Sequence, residues 1–142
     1  MKQILQDLKK GKTGVVDVPA PAVRPGHVVV RAAVSLISAG TERMLVEFGR
    51  SNLIDKARQQ PDKVRMVLDK VQTDGLMPTV HAVRSKLDEP LPMGYSNVGI
   101  VVEVGDGIDD LEVGDLVVSN GPHAEIVCVP RNLCARVPAG VT

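Results

Sequence analysis

Valine accounts for 25 of the 142 residues, while the aromatic side chains are only Phe48 and Tyr95, with no tryptophan. This imbalance constrains the fold first. A core without rings must be filled by aliphatic side chains, and β-branched ones suit the pleated, half-buried surface of a strand. It also excludes some functions, because no aromatic stacking platform for single-stranded nucleic acid or sugar rings can be built. Thirteen glycines and ten prolines supply the turns that many short strands need. Seventeen basic residues balance seventeen acidic ones, so no nucleic-acid partner is expected. No apolar run approaches the ~20 residues that cross a bilayer, and residues 1–10 hold no apolar leader. A cytoplasmic protein with no membrane partner is expected. The length favours one domain, long enough for a core but too short for a barrel plus a complete dinucleotide-binding domain.

Three blocks follow along the chain. In the first, Ile4 and Leu8 sit in a strand-like start, residues 11–14 (Gly-Lys-Thr-Gly) read as a turn, and Val15–Val18 as a strand. Pro19, Pro21 and Pro25 then demand a loop or edge, since proline cannot donate to a ladder. Val28–Ile37 is the clearest long strand. In the second block the period changes. Val64, Val67, Leu68 and Val71 stand at i, i+3, i+4 and i+7, on one helical face. Pro61 suits a first helical turn, with Asp62 at the positive end of the dipole. Val80, Val83 and Leu87 repeat the pattern after Pro78. Thr41 is a candidate cap for a helix carrying Met44, Leu45 and Phe48, and Ser51 for one carrying Leu53, Ile54 and Ala57. Gly49 and Gly75 punctuate three or four short helices. The third block returns to strands at Val98–Val104, Leu116–Val118, Ala124–Val129 and Ala135–Val137, with turns at the spacing of a small antiparallel barrel.

Several motifs have bland readings. Gly105-Asp106-Gly107 follows a strand, but Asp110 occupies the third glycine position of a dinucleotide fingerprint and no apolar helix follows. Asp106, Asp109, Asp110, Glu112 and Asp115 lack the twelve-residue spacing and flanking helices of a calcium loop, so they read as solvated turn carboxylates. His27, His81 and His123 show no metal-ligand spacing. Structural or surface roles are expected for all three, with His123 alone in a loop where catalysis is an alternative. Cys128 and Cys134 form no disulfide framework or Cys-x-x-Cys pair and read as small hydrophobes. Ser38–Arg43 closes a strand and opens a helix. Free N–H groups there favour a hydroxyl and a carboxylate facing a cleft. A plain capping role for Thr41, with Glu42 serving the dipole, stands beside that reading.

The segments Ile100–Gly107 (IVVEVGDG) and Leu111–Val117 (LEVGDLV) resemble the medium-chain dehydrogenase/reductase superfamily, in its GroES-like N-terminal domain. Pro25–Arg31 (PGHVVVR), Ala39-Gly40-Thr41-Glu42, Met93-Gly94-Tyr95-Ser96 and Gly121–Glu125 (GPHAE) resemble further segments of that domain. The resemblance spans all but about residues 50–89. It implies an α+β fold, a partly open GroES-like barrel across residues 1–142 with a helical insertion at about 50–89. It is closest to the bi-domain oxidoreductases, in which a Rossmann cofactor domain follows the barrel. That domain is expected to be absent here, with the chain ending near the crossing into it, at Val137–Thr142.

The departures from the family carry the functional expectation. Zinc-dependent members use a cysteine, a histidine and a glutamate where this chain has Ala39, Tyr95 and Ser96. Zinc takes thiolate, imidazole or carboxylate, and the cysteine-rich structural zinc lobe is missing as well, so no zinc is expected. The resemblance then implies a zinc-independent, NAD- or NADP-dependent oxidoreductase. It would transfer hydride to or from a carbonyl, an alcohol or an activated alkene. Thr41 would serve the reacting oxygen and the cofactor, Tyr95 and Ser96 would assist, and Glu42 would hold a supporting partner. The expected partners are a small-molecule substrate and the missing cofactor domain, with a homo-oligomer as a further option. These residues alone are expected to bind no NAD(P)H and to be inactive. A non-catalytic scaffold or interaction module, using the amphipathic helices, is the alternative. A co-chaperonin role is weaker, because fold alone does not give function.

Overall fold

The computed structural model describes residues 1–51 and 53–141, apart from the side chains of Leu53, Arg84, Lys86 and Leu87. The apolar contributions expected of Leu53 and Leu87 therefore lie outside the described residues, as does Thr142. The elements run β1 (Lys2–Asp7), β2 (Lys12–Asp17), β3 (His27–Ser35), α1 (Ala39–Arg50), α2 (Leu53–Gln59), α3 (Pro61–Asp74) and α4 (Leu76–Asp88). There follow β4 (Leu91–Pro92), β5 (Asn97–Val104), β6 (Leu116–Ser119), β7 (Ile126–Pro130), a 3-10 turn at Arg131–Leu133 and β8 (Cys134–Arg136). The fold is α+β, with one sheet in the order β2-β1-β4 and another in the order β7-β3-β5-β6-β8. No described helix is long and apolar enough to cross a membrane.

The chain divides into two compact units. The first holds residues 1–5, 14–42 and 92–142. Its core is aliphatic, as the composition demands: Val28, Val30, Val101, Leu111, Val117, Val127, Val129 and Cys134. The antiparallel register explains the clustering. Val30 faces Val101 on β5 and Val127 on β7, and Val28 faces Val129. Opposed β-branched pairs of this kind are the unit of sheet stabilisation. Gly99 lies against β3 so closely that an added Cβ would stand 2.2 Å from the carbonyl oxygen of Arg31.

The second unit holds residues 6–13 and 43–91. Here α2 packs on α3, and α3 on α4. Helix α3 begins on Pro61 as expected, and Gly75, at φ 90°, breaks it from α4. Its apolar face is only partly covered. Val64, Val67 and Val71 are half-buried while Leu68 is exposed. The Asp7 carboxylate accepts from the Lys9 and Lys10 N–H groups and closes the β1–β2 turn. Those bonds, that of Lys10 first, hold its carboxyl below the usual aspartate value against desolvation.

Local competition moved several boundaries. β3 stops at Ser35, two residues short of the expected Ile37, and Leu36 instead donates its N–H to the Ser96 carbonyl. The turn before β2 occupies residues 8–11, so Leu8 leaves the strand and Thr13 and Gly14 enter one. Helix α1 starts at Ala39, which places Thr41 inside the first turn rather than at the cap. Gly49 lies within α1. Ser51 turns back, donating from Oγ to the Glu47 carbonyl at 2.9 Å, and so serves the end of α1 instead of opening α2. β7 begins at Ile126, with Ala124 forming only an isolated bridge to Gln3.

The acidic run is not wholly solvated. Asp110 pairs with Arg131 through both carboxylate oxygens, and Arg136 reaches Asp115 at 2.6 Å. The hydrogen bonds from Arg131 hold the Asp110 carboxyl below the usual aspartate value, against desolvation. A depressed folded value stabilises above the unfolded pKa and fades as pH falls through the folded one. Asp110→Asn is therefore expected to lower the urea midpoint at neutral pH, with the deficit vanishing on acidification below the aspartate range. An equal deficit at every pH would contradict this.

Candidate functional site

The first unit gathers its polar side chains where β3 ends and α1 begins. Four N–H groups at a helix start lack intrahelical partners, and the sequence supplies acceptors nearby. The Glu42 Oε1 accepts from the Ser38 N–H at 3.0 Å, while the Glu42 N–H donates to the Ser38 carbonyl. Glu42 is thus folded back over the first turn, and it is buried.

A buried carboxylate needs more than one partner. The second is His123, whose Nε2 lies 3.0 Å from Glu42 Oε2. The other ring nitrogen, Nδ1, lies 2.8 Å from Ser35 Oγ. Backbone contacts clamp His123 on both sides: its N–H donates to the Met93 carbonyl at 2.7 Å, and its carbonyl accepts from Ile4 at 2.9 Å. Gly94 lies flat on the imidazole. A Cβ there would stand 2.6 Å from the ring, at a φ of 88° that side chains rarely adopt. The glycine of the Met93–Ser96 segment is therefore required by the histidine beneath it. His123, expected in a structural or surface role, is a buried member of this network. The signal missed was its partner, Glu42, 81 positions away. Of the other histidines, His81 is exposed as expected and His27 bonds the Pro25 carbonyl.

The expected site residues divide. Thr41 and Tyr95 come together, with the Tyr95 hydroxyl donating to Thr41 Oγ1 at 3.3 Å. Both are exposed. Glu42 joins His123 instead. Ser96 is half-buried, and its carbonyl accepts from the Leu36 N–H. Ser38, not singled out in the sequence, takes part in its place. Hydrogen bonding with the Ser38 side chain first, and then with that of Thr41, holds the Tyr95 phenol below its usual value. Desolvation and the Glu42 charge oppose it. Because Tyr95 is the sole tyrosine and tryptophan is absent, ultraviolet titration reads it alone. Ser38→Ala is expected to move that titration to higher pH, and an unmoved curve would remove Ser38 from the cluster.

Metal donors are scarce. Among the described residues no three of His, Cys, Asp and Glu converge to hold an ion. Ala39 offers no donor atom, and a phenol and an alcohol are poor zinc ligands, so these side chains do not fit the metal. Burial pushes the Cys134 thiol up, away from the nucleophilic thiolate.

The family model of the alcohol dehydrogenase GroES-like domain matches residues 65–139. Solved structures resemble the whole chain. The quinone oxidoreductase from Coxiella burnetii is 18% identical at a TM-score of 0.65, with 100% of this chain covering 38% of that one. The Escherichia coli quinone oxidoreductase complexed with NADPH is 13% identical at 0.64, over 100% and 35% of the two chains. The alcohol dehydrogenase from Thermus sp. ATN1 is 19% identical at 0.64, over 100% and 41%. The chain thus spans well under half the length of these proteins, and at such identities the likeness is one of fold. No curated protein matches significantly.

Proposed function

Because the chain belongs to the alcohol dehydrogenase GroES-like domain family, we propose that it forms the substrate-side domain of a zinc-independent, NAD(P)-dependent oxidoreductase. Residues 1–142 make the barrel-type domain, with the helical insertion at about 50–89, and the cofactor domain lies outside these residues. A bound nicotinamide would supply or accept the hydride, with a carbonyl, an alcohol or an activated alkene as its partner. The single observation that carries the reading is the Thr41–Tyr95 hydroxyl pair, in which Tyr95 stands where zinc-dependent members place a metal ligand.

That pair offers what a reacting oxygen needs without a metal. Thr41 sits in the first turn of α1, where free N–H groups and the helix dipole favour negative charge. Tyr95, its phenol easier to ionise than usual, can donate a proton to an alkoxide or enolate and recover it from water. Ser38 holds the phenol and Glu42 fixes the turn. Thr41 would also help to hold the nicotinamide when the cofactor is bound. Turnover with NAD(P)H by this chain together with a cofactor domain, measured before and after exhaustive chelation, tests the reading. The rate should survive chelation. A loss restored by added zinc would overturn it. The chain alone should show no NAD(P)H binding and no hydride transfer.

A second reading rests on the second unit, where Met66, Leu68, Leu76 and Met77 are exposed on α3 and α4. These helices would dock another subunit or a second copy in a non-catalytic module. Sedimentation of the chain across a concentration series separates the two, since a module of that kind self-associates or binds partners without turnover.

A further inference from the structure

Ser35, His123 and Glu42 form a line of three groups that the oxidoreductase reading does not use as such. The distances are 2.8 Å from Ser35 Oγ to His123 Nδ1 and 3.0 Å from His123 Nε2 to Glu42 Oε2. A carboxylate only accepts hydrogen bonds, so Nε2 carries the proton and Nδ1 presents its lone pair to the serine hydroxyl. A hydroxyl within reach of a base, itself oriented by a third group, is the arrangement of an activated nucleophile. His123 and Glu42 are buried, while Ser35 and His123 both line an open cavity of about 330 Å³. Its walls are largely apolar, built from Ile4, Val15, Ala32 and Val34, with Lys2 and Glu125 also lining it.

We propose that Ser35 is the nucleophile of an acyl-transfer site, with His123 as base and Glu42 as the residue that orients it. The substrate class is a small ester of a short acyl group, as the cavity's volume and apolar wall require. Ser35 Oγ adds to the acyl carbon as its proton passes to His123 Nδ1. The bond to the leaving alkoxide breaks, and Nδ1 returns the proton to that oxygen. Water repeats the sequence on the acyl-serine, releasing the acid and restoring Ser35. No oxidant, reductant or metal enters. This activity stands apart from hydride transfer, so either assignment survives the other's failure.

The test uses the chain itself with two probes, p-nitrophenyl acetate and diisopropyl fluorophosphate. Peptide mapping should find the phosphoryl adduct on Ser35, with fluoride lost and the serine proton taken up by His123. Ser35→Ala, its fold checked by circular dichroism, should lose the adduct and at least 100-fold of the esterase rate. If Ser35→Ala fails to fold, mapping on the parent chain decides alone. Ser35→Cys gives an independent reading, because iodoacetamide should alkylate position 35 at pH 6 faster than Cys128 or Cys134. An adduct elsewhere, an unlabelled Ser35 in the folded parent, or an Ser35→Ala variant as active as the parent would each overturn the proposal.

Discussion

Thr41→Ala is expected to lower oxidoreductase turnover by about 10²–10³-fold, the usual effect of removing one preorganised donor to a developing oxyanion. The loss should fall on kcat and kcat/KM alike, because the contact strengthens only as charge develops. Folding should be untouched. Thr41 is exposed, and among the described residues its side chain is bonded by the 3.3 Å contact from Tyr95. Tyr95→Phe should cost a comparable factor through the proton it no longer supplies. The double variant should lose less than the product of the two, since groups acting as a unit are not additive. Steady-state kinetics of the four proteins, each joined to a cofactor domain, provide the measurement. Full turnover in Thr41→Ala would take Thr41 out of the chemistry, and strict multiplicativity would separate it from Tyr95.

A large stability effect should come from Gly99→Ala. The new methyl would stand 2.2 Å from the Arg31 carbonyl oxygen and 2.8 Å from the Ala32 Cα. Both are backbone atoms of β3, and neither can turn aside as a side chain would. Separating the strands would disturb the β3–β5 register that joins Val30 to Val101, in the middle of the valine core. A cost of about 3 kcal/mol or more follows from overpacking of this kind, readable as a fall in the urea midpoint. Gly107→Ala makes a useful contrast. A Cβ there meets nothing within 4 Å, so only its φ of 83° resists substitution. A smaller deficit at Gly99 than at Gly107 would contradict the steric argument.

What the sequence revealed followed from local chemistry. Valine without aromatics announced a strand-built aliphatic core, and Val64, Val67, Leu68 and Val71 announced α3 by spacing alone. Pro61 and Gly75 marked the ends of that helix through the backbone angles they favour. The meeting of Thr41 with Tyr95 came from family resemblance, not periodicity, since 54 residues separate them. The boundaries that shifted did so where two local bonds compete. Ser51 satisfies the last carbonyls of α1 as readily as it would cap α2, and Leu36 leaves the β3 ladder for the Ser96 carbonyl. The Ser35–His123–Glu42 line was hidden because His123 lies 88 and 81 positions from the other two, and no spacing rule joins residues that only folding brings together. Gly94 held the nearest clue. Its lack of a side chain makes sense only once the imidazole beneath it is seen.

The valine sheet is an open one, and its two lateral borders differ from its interior. One is β8, three residues long, carrying Arg136 and followed by Pro138. The other is β7, which ends on Pro130. Short, proline-flanked and cationic borders are poor templates for the unpaired backbone of another molecule. A chain with so many β-branched residues would otherwise invite fibril growth. These margins instead predict that concentrated solutions stay free of cross-β polymer for as long as the sheet remains folded.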